Sequence, residues 1–183
     1  DNVVITTGTF LNGEIHVGLE TFPAGRINEN PTHGISQTLN ELGFKLGRLK
    51  TGTPARLDKS TINFKGLEIQ KGDVDPYPMS FLNETVAIKN QVECYGTRTT
   101  KILHDYILKN LDKSIHIRET VKGPRYCPSI EAKVLRFSDK DSHKIWLEPE
   151  GLDSNIIYPN GISNSMPLDI QLKMLQLVPG LEN

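Results

Sequence analysis

Three stretches hold residues whose types and spacing could do chemistry. In Gly123-Pro124-Arg125-Tyr126-Cys127-Pro128-Ser129-Ile130-Glu131, a cysteine stands two residues after an arginine and just ahead of a helix start at Ser129. Both the cation and a helix N-terminus favour a thiolate, so Cys127 is either a nucleophile or acid–base group, or an ordinary loop thiol. In Gly47-Arg48-Leu49-Lys50-Thr51-Gly52-Thr53-Pro54-Ala55-Arg56, together with Lys45, four cations and no acid fall within twelve residues. Fixed cations beside glycine N–H groups and threonine hydroxyls suit a phosphate, although a solvated basic turn has the same composition. It is not a Walker loop, because the Gly-to-Gly-Lys order is absent. The third stretch, Val3-Val4-Ile5-Thr6-Thr7-Gly8-Thr9-Phe10, reads as a buried strand running into a glycine. In open α/β sheets ligands bind at such strand ends, though a plain turn looks the same.

The remaining candidates are weaker. Cys94, beside Glu93 in strand-like surroundings, reads as structural. Glu148, Glu150 and the turn Tyr158-Pro159-Asn160-Gly161 could supply carboxylates and amide donors, or be solvated loop groups. The five histidines, at 16, 33, 104, 116 and 143, lack metal-ligand spacing, so no metal site is assigned. His104 is expected on the polar face of its helix.

Elements must position these groups. Val3–Thr6 is expected as a buried strand, and Phe10–Val17 as a hairpin turning at Asn12-Gly13. A helix should begin near Ser36, with Leu39 and Leu42 on one face, and stop at Gly43; a short strand follows over Phe44–Lys50. Strands around Ile62–Phe64, Met79–Leu82 and Gln91–Tyr95 would make a small antiparallel unit. The clearest helix runs from a Thr99 or Thr100 cap to Leu111, with Ile102, Leu103, Tyr106 and Ile107 at helical spacing. A strand near Ile115–Arg118, a helix over Ser129–Arg136, strands at Lys144–Leu147 and Ile156–Tyr158, and a helix with Pro167 in its first turn complete the reading.

Composition limits the function classes. The 183 residues suffice for a real core, and 37% hydrophobic and 23% charged residues with 15 Gly and 11 Pro describe a loop-rich globular chain. With 21 Lys and Arg against 22 Asp and Glu, the net charge of −1 excludes a uniformly basic nucleic-acid binder but not a local basic patch. Two cysteines are too few for a disulfide framework, which points to an intracellular protein with free thiols. No apolar run approaches the roughly 20 residues needed to cross a bilayer, so a soluble chain is expected. Opening on strand-type sequence without Met, the chain reads as an internal piece of a longer protein.

Taken in order, Thr7-Gly8-Thr9-Phe10-Leu11, Gly47 to Pro54, Gly123 to Glu131, Leu147-Glu148-Pro149-Glu150-Gly151 and Tyr158 to Ser163 resemble the MnmG/GidA family of tRNA-modifying flavoproteins. The resemblance covers essentially the whole chain. Gly18-Leu19-Glu20, Pro23-Ala24-Gly25-Arg26, Asn83 to Val86 and Ile145-Trp146-Leu147 look closer to the eukaryotic, mitochondrial branch. It implies an α/β fold, a portion of a glutathione-reductase-like FAD/NAD-binding domain with an inserted α+β unit. The divisions would be 1–56 for the FAD-binding portion, 57–122 for the insert and 123–183 for the return with an NAD-associated segment.

The implied activity is installation of an aminomethyl-type group on C5 of the tRNA wobble uridine, using FAD, NADH and methylenetetrahydrofolate with a partner MnmE-type GTPase. The full-length protein would be a homodimer without a membrane span, in the mitochondrial matrix, or in the cytoplasm if bacterial. Cys127 matches a family cysteine thought to act as base or as nucleophile toward uracil C6. Gly123, Pro124, Arg125, Tyr126, Cys127, Pro128, Ser129, Ile130, Glu131, Lys133, Arg136 and Phe137 match the NAD-associated segment. Thr7, Gly8 and Thr9 match a cofactor-contacting turn, and Ser36 a flavin-contacting serine. Arg48, Lys50 and Arg56 would face flavin phosphates or the tRNA backbone. Ala55, Ala132, Asn164 and Met166 depart from the bacterial pattern without removing a reactive group. Regions the family uses for the FAD pyrophosphate and the GTPase are not represented, so the chain alone is expected to be inactive. The rivals are a folate-dependent tRNA uridine methyltransferase, against which Thr9-Phe10-Leu11 and Arg48 to Thr53 argue, and a non-catalytic RNA-binding or scaffold piece.

Overall fold

The computed structural model describes residues 2–115, 123 and 127–183. A hairpin of β1 (Glu14–Val17) and β2 (Glu20–Pro23) is followed by helix α1 (Ile35–Glu41). Then come β3 (Leu57–Asp58), β4 (Glu68–Gln70), β5 (Cys94–Arg98) and helix α2 (Lys101–Lys109). Helix α3 (Ile130–Arg136), strands β6 (Lys144–Pro149) and β7 (Ile156–Asn160), and helix α4 (Leu168–Gln176) complete the mixed α/β chain.

Five strands form one sheet in the order β3-β7-β6-β5-β4, every pair antiparallel. Tyr95 faces Leu147, and Leu147 in turn faces Pro159, so β6 is the central strand. The sheet joins strands from 57–122 to strands from 123–183, and the 122/123 division therefore lies between segments of one sheet. Helices α2, α3 and α4 cover it through Leu103, Ile107, Ile130, Val134, Ile170 and Met174, which pack with Ile145, Leu147, Ile157 and Ile162. Burying such a side chain stabilises by about 1.5–3 kcal/mol, so this layer holds the body together.

Local signals start the helices. Thr100 accepts from the Leu103 N–H at 3.2 Å and begins α2; Ser129 accepts from the Ala132 N–H and begins α3. Pro167, with no N–H to leave unpaired, precedes α4. Gly43, at φ 82, follows the Leu42 cap of α1, as expected for a glycine stop.

Several expectations are corrected. Val3, Val4 and Ile5 do not form a buried strand: they are 86%, 84% and 52% exposed, because no described strand runs beside them to take their backbone hydrogen bonds. Phe44–Lys50 forms no strand either, and Phe44, Leu46 and Leu49 are exposed for the same reason. The hairpin turns at Gly18-Leu19, not at Asn12-Gly13. Gly13 is hemmed in by the Ala24 and Thr9 carbonyls, each 2.4 Å from where a Cβ would stand, so it is a packing point. Ile62 is a core residue rather than part of a strand, Met79–Leu82 is exposed loop, and the third strand of that unit runs over Cys94–Arg98. His104 is 4% exposed, because it shares the core-facing side of α2 with Leu103 and Ile107 while Ile102 faces out. Of the strand expected near Ile115–Arg118, Ile115 is buried after a 3-10 turn and the rest lies outside the described residues.

Candidate functional site

The loop 161–166, between β7 and α4, brings together motifs far apart in sequence. The Ile130 N–H donates to Ser163 O at 2.8 Å and Lys133 Nζ to Gly161 O at 2.9 Å, seating α3 on this loop. The Ser165 N–H donates to Glu131 Oε1 at 3.1 Å, and Lys50 Nζ donates to Ser165 Oγ at 3.1 Å. On its other side the Gly18 N–H donates to Ser165 O at 2.8 Å, so the hairpin turn docks here too. Gly18 has φ 62, and a Cβ there would lie 2.7 Å from Pro167 Cγ, which explains a glycine at that point.

Cys127 is exposed and stands two residues before the Ser129 cap of α3. Burial pushes the Lys133 ammonium down from its ordinary value, and the charge of Cys127 opposes that shift, so the two groups are electrostatic neighbours. Pro128 is half-buried and Ser129 is buried, while Arg136 and Phe137 are exposed at the far end of α3, with Lys140 Nζ 5.4 Å from the Phe137 ring centre. Gly123 lies 3.3 Å, measured from an ideal Cβ, from Lys50 O. Pro124, Arg125, Tyr126 and His116 lie outside the described residues.

The expected basic cluster does not assemble as one patch. Arg48 bonds Asn12 O at 2.8 Å and Glu14 at 3.0 Å. Lys50 is buried, its ammonium pushed down by desolvation and partly restored by Glu131. Arg56 stacks 4.4 Å from the Tyr158 ring centre, pairs with Glu150, and bonds Thr53 Oγ1 at 3.0 Å and Pro54 O at 2.9 Å. Three cations close together in sequence thus serve three different sites.

The Thr7–Thr9 turn presents an open backbone. Gly8 has φ 57 with nothing nearer than 3.9 Å to where a Cβ would stand, and Thr9 Oγ1 donates to Gly25 O at 3.1 Å. Ser36 is buried, and its hydroxyl accepts from Asn12 Nδ2 at 2.7 Å. Cys94 is half-buried, and burial together with Glu148 pushes its thiol up, which fits a structural thiol. Among the described residues no three His, Cys, Asp or Glu side chains gather as metal ligands. No described helix is long and apolar enough to cross a membrane.

Residues that sequence reasoning passed over are Ser114 and Ser165, both buried, and Asn12, which ties Ser36 to His33. The polar run Ser163-Asn164-Ser165 between Gly161 and Pro167 was a usable signal, because a buried hydroxyl such as that of Ser165 usually holds a polar partner.

A family model described as glucose inhibited division protein A matches residues 1–183. The chain is 52% identical over its whole length to the mitochondrial 5-taurinomethyluridine-tRNA synthase subunit MTO1 of Pongo abelii, of which it covers 26%. It is 53% identical, over 99% of its length, to the tRNA uridine 5-carboxymethylaminomethyl modification enzyme MnmG of Syntrophotalea carbinolica, of which it covers 29%. Among solved structures, Aquifex aeolicus GidA in its form I crystal superposes with a TM-score of 0.88 at 49% identity, over 97% of this chain and 31% of that one. The chain thus spans between about a quarter and a third of the length of these relatives.

Proposed function

From a chain that belongs to the glucose inhibited division protein A family, we propose the central segment of a flavin-dependent enzyme that modifies C5 of the tRNA wobble uridine. The observation that carries this reading is the exposed Cys127 two residues ahead of the α3 cap, with α3 seated through Ile130 and Lys133 on the loop 161–166 where the family motifs converge. The names of the relatives, all tRNA uridine modification enzymes or their subunits, supply the substrate class.

In this reading Cys127 assists addition at the uracil ring, as nucleophile toward C6 or as base. Pyrimidine C5 is activated when a nucleophile adds at C6 and electron density moves toward C5, which suits a thiol free to approach the ring. The open Gly8 backbone with Thr7 and Thr9, and the Ser36 hydroxyl, fit a flavin, and these residues would hold FAD. When bound, FAD with NADH and methylenetetrahydrofolate supplies the redox and one-carbon chemistry. The residues from Gly123 to Phe137 would lie along the NADH site. Arg48 and Arg56 would reach the tRNA backbone from the exposed side. The intact protein would act as a homodimer with an MnmE-type GTPase, in the mitochondrial matrix.

The test is nucleoside analysis of unmodified tRNA incubated with the intact protein, the GTPase, FAD, NADH and methylenetetrahydrofolate, with taurine and glycine supplied separately. A C5 aminomethyl-type uridine at the wobble position is expected. Formation of 5-methyluridine instead would establish the methyltransferase reading, and an unchanged tRNA would leave only a binding role.

A further inference from the structure

Asn12, at φ 46, is one of two described residues other than glycine that hold a left-handed backbone, and all four of its polar groups are engaged. Its N–H donates to Thr32 O at 2.9 Å, and its carbonyl accepts from the Arg48 guanidinium at 2.8 Å. Its side-chain Nδ2 donates to Ser36 Oγ at 2.7 Å, and Oδ1 accepts from His33 Nδ1 at 2.9 Å. An amide oxygen can only accept, so His33 carries a proton on Nδ1 in this contact.

These bonds lace the Thr7–Thr9 turn to the start of α1. The Phe10 N–H donates to Thr7 O at 3.2 Å and the Gly13 N–H to Phe10 O at 3.1 Å, so the turn runs straight into Asn12. The Thr32 N–H donates to the same Phe10 carbonyl at 2.8 Å, and the Asn12 side chain carries the lacing on to His33 and Ser36. Ser36 lies in the first turn of α1, whose Gly34 cap supplies no side-chain hydrogen bond, so the Asn12 amide is what ties that turn to the loop. Only glycine takes a left-handed backbone more readily than asparagine or aspartate, and glycine has no side chain with which to reach Ser36. A strained backbone held by this many bonds is the kind of point at which a ligand site is set.

We propose that Asn12, oriented by His33, is a positioning residue of the flavin site: it fixes the Ser36 hydroxyl relative to the Thr7–Thr9 turn, so that the two parts of the site keep one spacing. Asn12 acts through Ser36 and is not itself a cofactor contact. The proposal rests on the reading that Thr7, Gly8, Thr9 and Ser36 hold FAD, and adds how those parts are kept in register.

The measurement is FAD binding by the intact, flavin-stripped protein, followed by the change in flavin fluorescence. The absorbance spectrum of the bound flavin and the melting temperature of the flavin-free protein are recorded alongside. Asn12→Gly accepts the left-handed backbone without strain and loses the amide, so FAD affinity should fall by roughly tenfold and the bound spectrum should shift, with the melting temperature near the parent's. Asn12→Asp tolerates the same backbone and can still bond both His33 and Ser36, so it should stay within about threefold of the parent. His33→Ala, at an exposed position, frees the amide to turn and should weaken binding in the same direction but less.

Parent-like affinity and spectrum in Asn12→Gly overturn the proposal, as does a loss in Asn12→Asp as large as in Asn12→Gly. A lowered melting temperature with an unchanged bound spectrum marks a merely structural role and overturns it too. Should Asn12→Gly not fold, unmoved affinity in His33→Ala overturns it. Ser36→Ala separates this proposal from the reading beneath it. Parent-like FAD binding by Ser36→Ala removes the flavin contact given to Ser36, and the positioning role with it. Weakened binding there beside a parent-like Asn12→Gly removes the positioning role alone. Adding Asn12→Gly to Ser36→Ala should weaken binding no further, and an added loss would show that Asn12 does not act through Ser36.

Discussion

From Ile62 to Leu181 the chain gathers isoleucine, leucine, valine and methionine into one core, whereas among residues 2–56 Ala24 is the sole buried hydrophobic side chain described. The first of these regions closes on itself: each strand finds a neighbour, and three helices cover the sheet. In the second the hairpin and α1 are held mostly by backbone bonds and polar ties such as Asn12 to Ser36 and Arg48 to Glu14, while Val3, Val4, Phe44 and Leu49 stand exposed. The difference teaches that strand-type composition makes a strand only where an edge is offered, and that the candidate site sits at the seam between the two regions, where Gly18 and Lys50 meet Ser165.

Mutations should break this contrast in a graded way. Leu147→Ala, on the central strand and fully buried, should cost about 2–5 kcal/mol in urea unfolding of the chain. Gly161→Ala comes next: φ is +110 and a Cβ would lie 2.6 Å from Lys144 O, so a loss of about 1–3 kcal/mol is expected in the same measurement. Thr100→Ala removes the α2 cap and the bond to Leu177 O, and should cost about 1–2 kcal/mol. Val4→Ala, in the exposed region, should fall within about 0.5 kcal/mol of the parent. A large loss there would mean that residues 2–6 are packed after all.

A pH series sharpens the same contrast. His104 and His143 stack with ring centres 5.2 Å apart, His104 bonds Thr99 Oγ1 at 2.7 Å, and burial pushes both below the ordinary histidine value of 6.5. The cations Lys101, Lys133 and Lys140 push further down, while Asp105, Asp141 and the Lys140 backbone pull His104 back up. The unfolded chain then binds protons the folded one refuses, so stability is complete above the ordinary value and declines as pH falls below it. Melting temperatures should drop on acidification from pH 7 downwards. In a His104→Gln His143→Gln double variant that drop should be smaller.

Sequence made the core region legible through local cues. Thr100, Ser129 and Pro167 start helices by hydrogen-bond rules that need no tertiary knowledge, and α2, α3 and α4 follow as expected. Where the outcome depends on a neighbour, local reading fails. Asn12-Gly13 has the composition of a hairpin turn, but Gly13 is pressed between two carbonyls and Asn12 is spent on Ser36 and His33. His104 looked polar by type and is core by position. In the candidate site, the helix start at Ser129 behind Cys127 was legible, while the run of cations from Arg48 to Arg56 suggested one cradle. Their partners Glu14, Ser165 and Glu150 come from three remote segments, and so divide that run.

The most direct test is to measure tRNA binding and wobble-uridine modification together in the intact protein and in Cys127→Ser. A thiol that assists addition at the uracil ring predicts unchanged tRNA affinity with modification reduced by about 10² or more. Modification at the parent rate would contradict the central role given to Cys127.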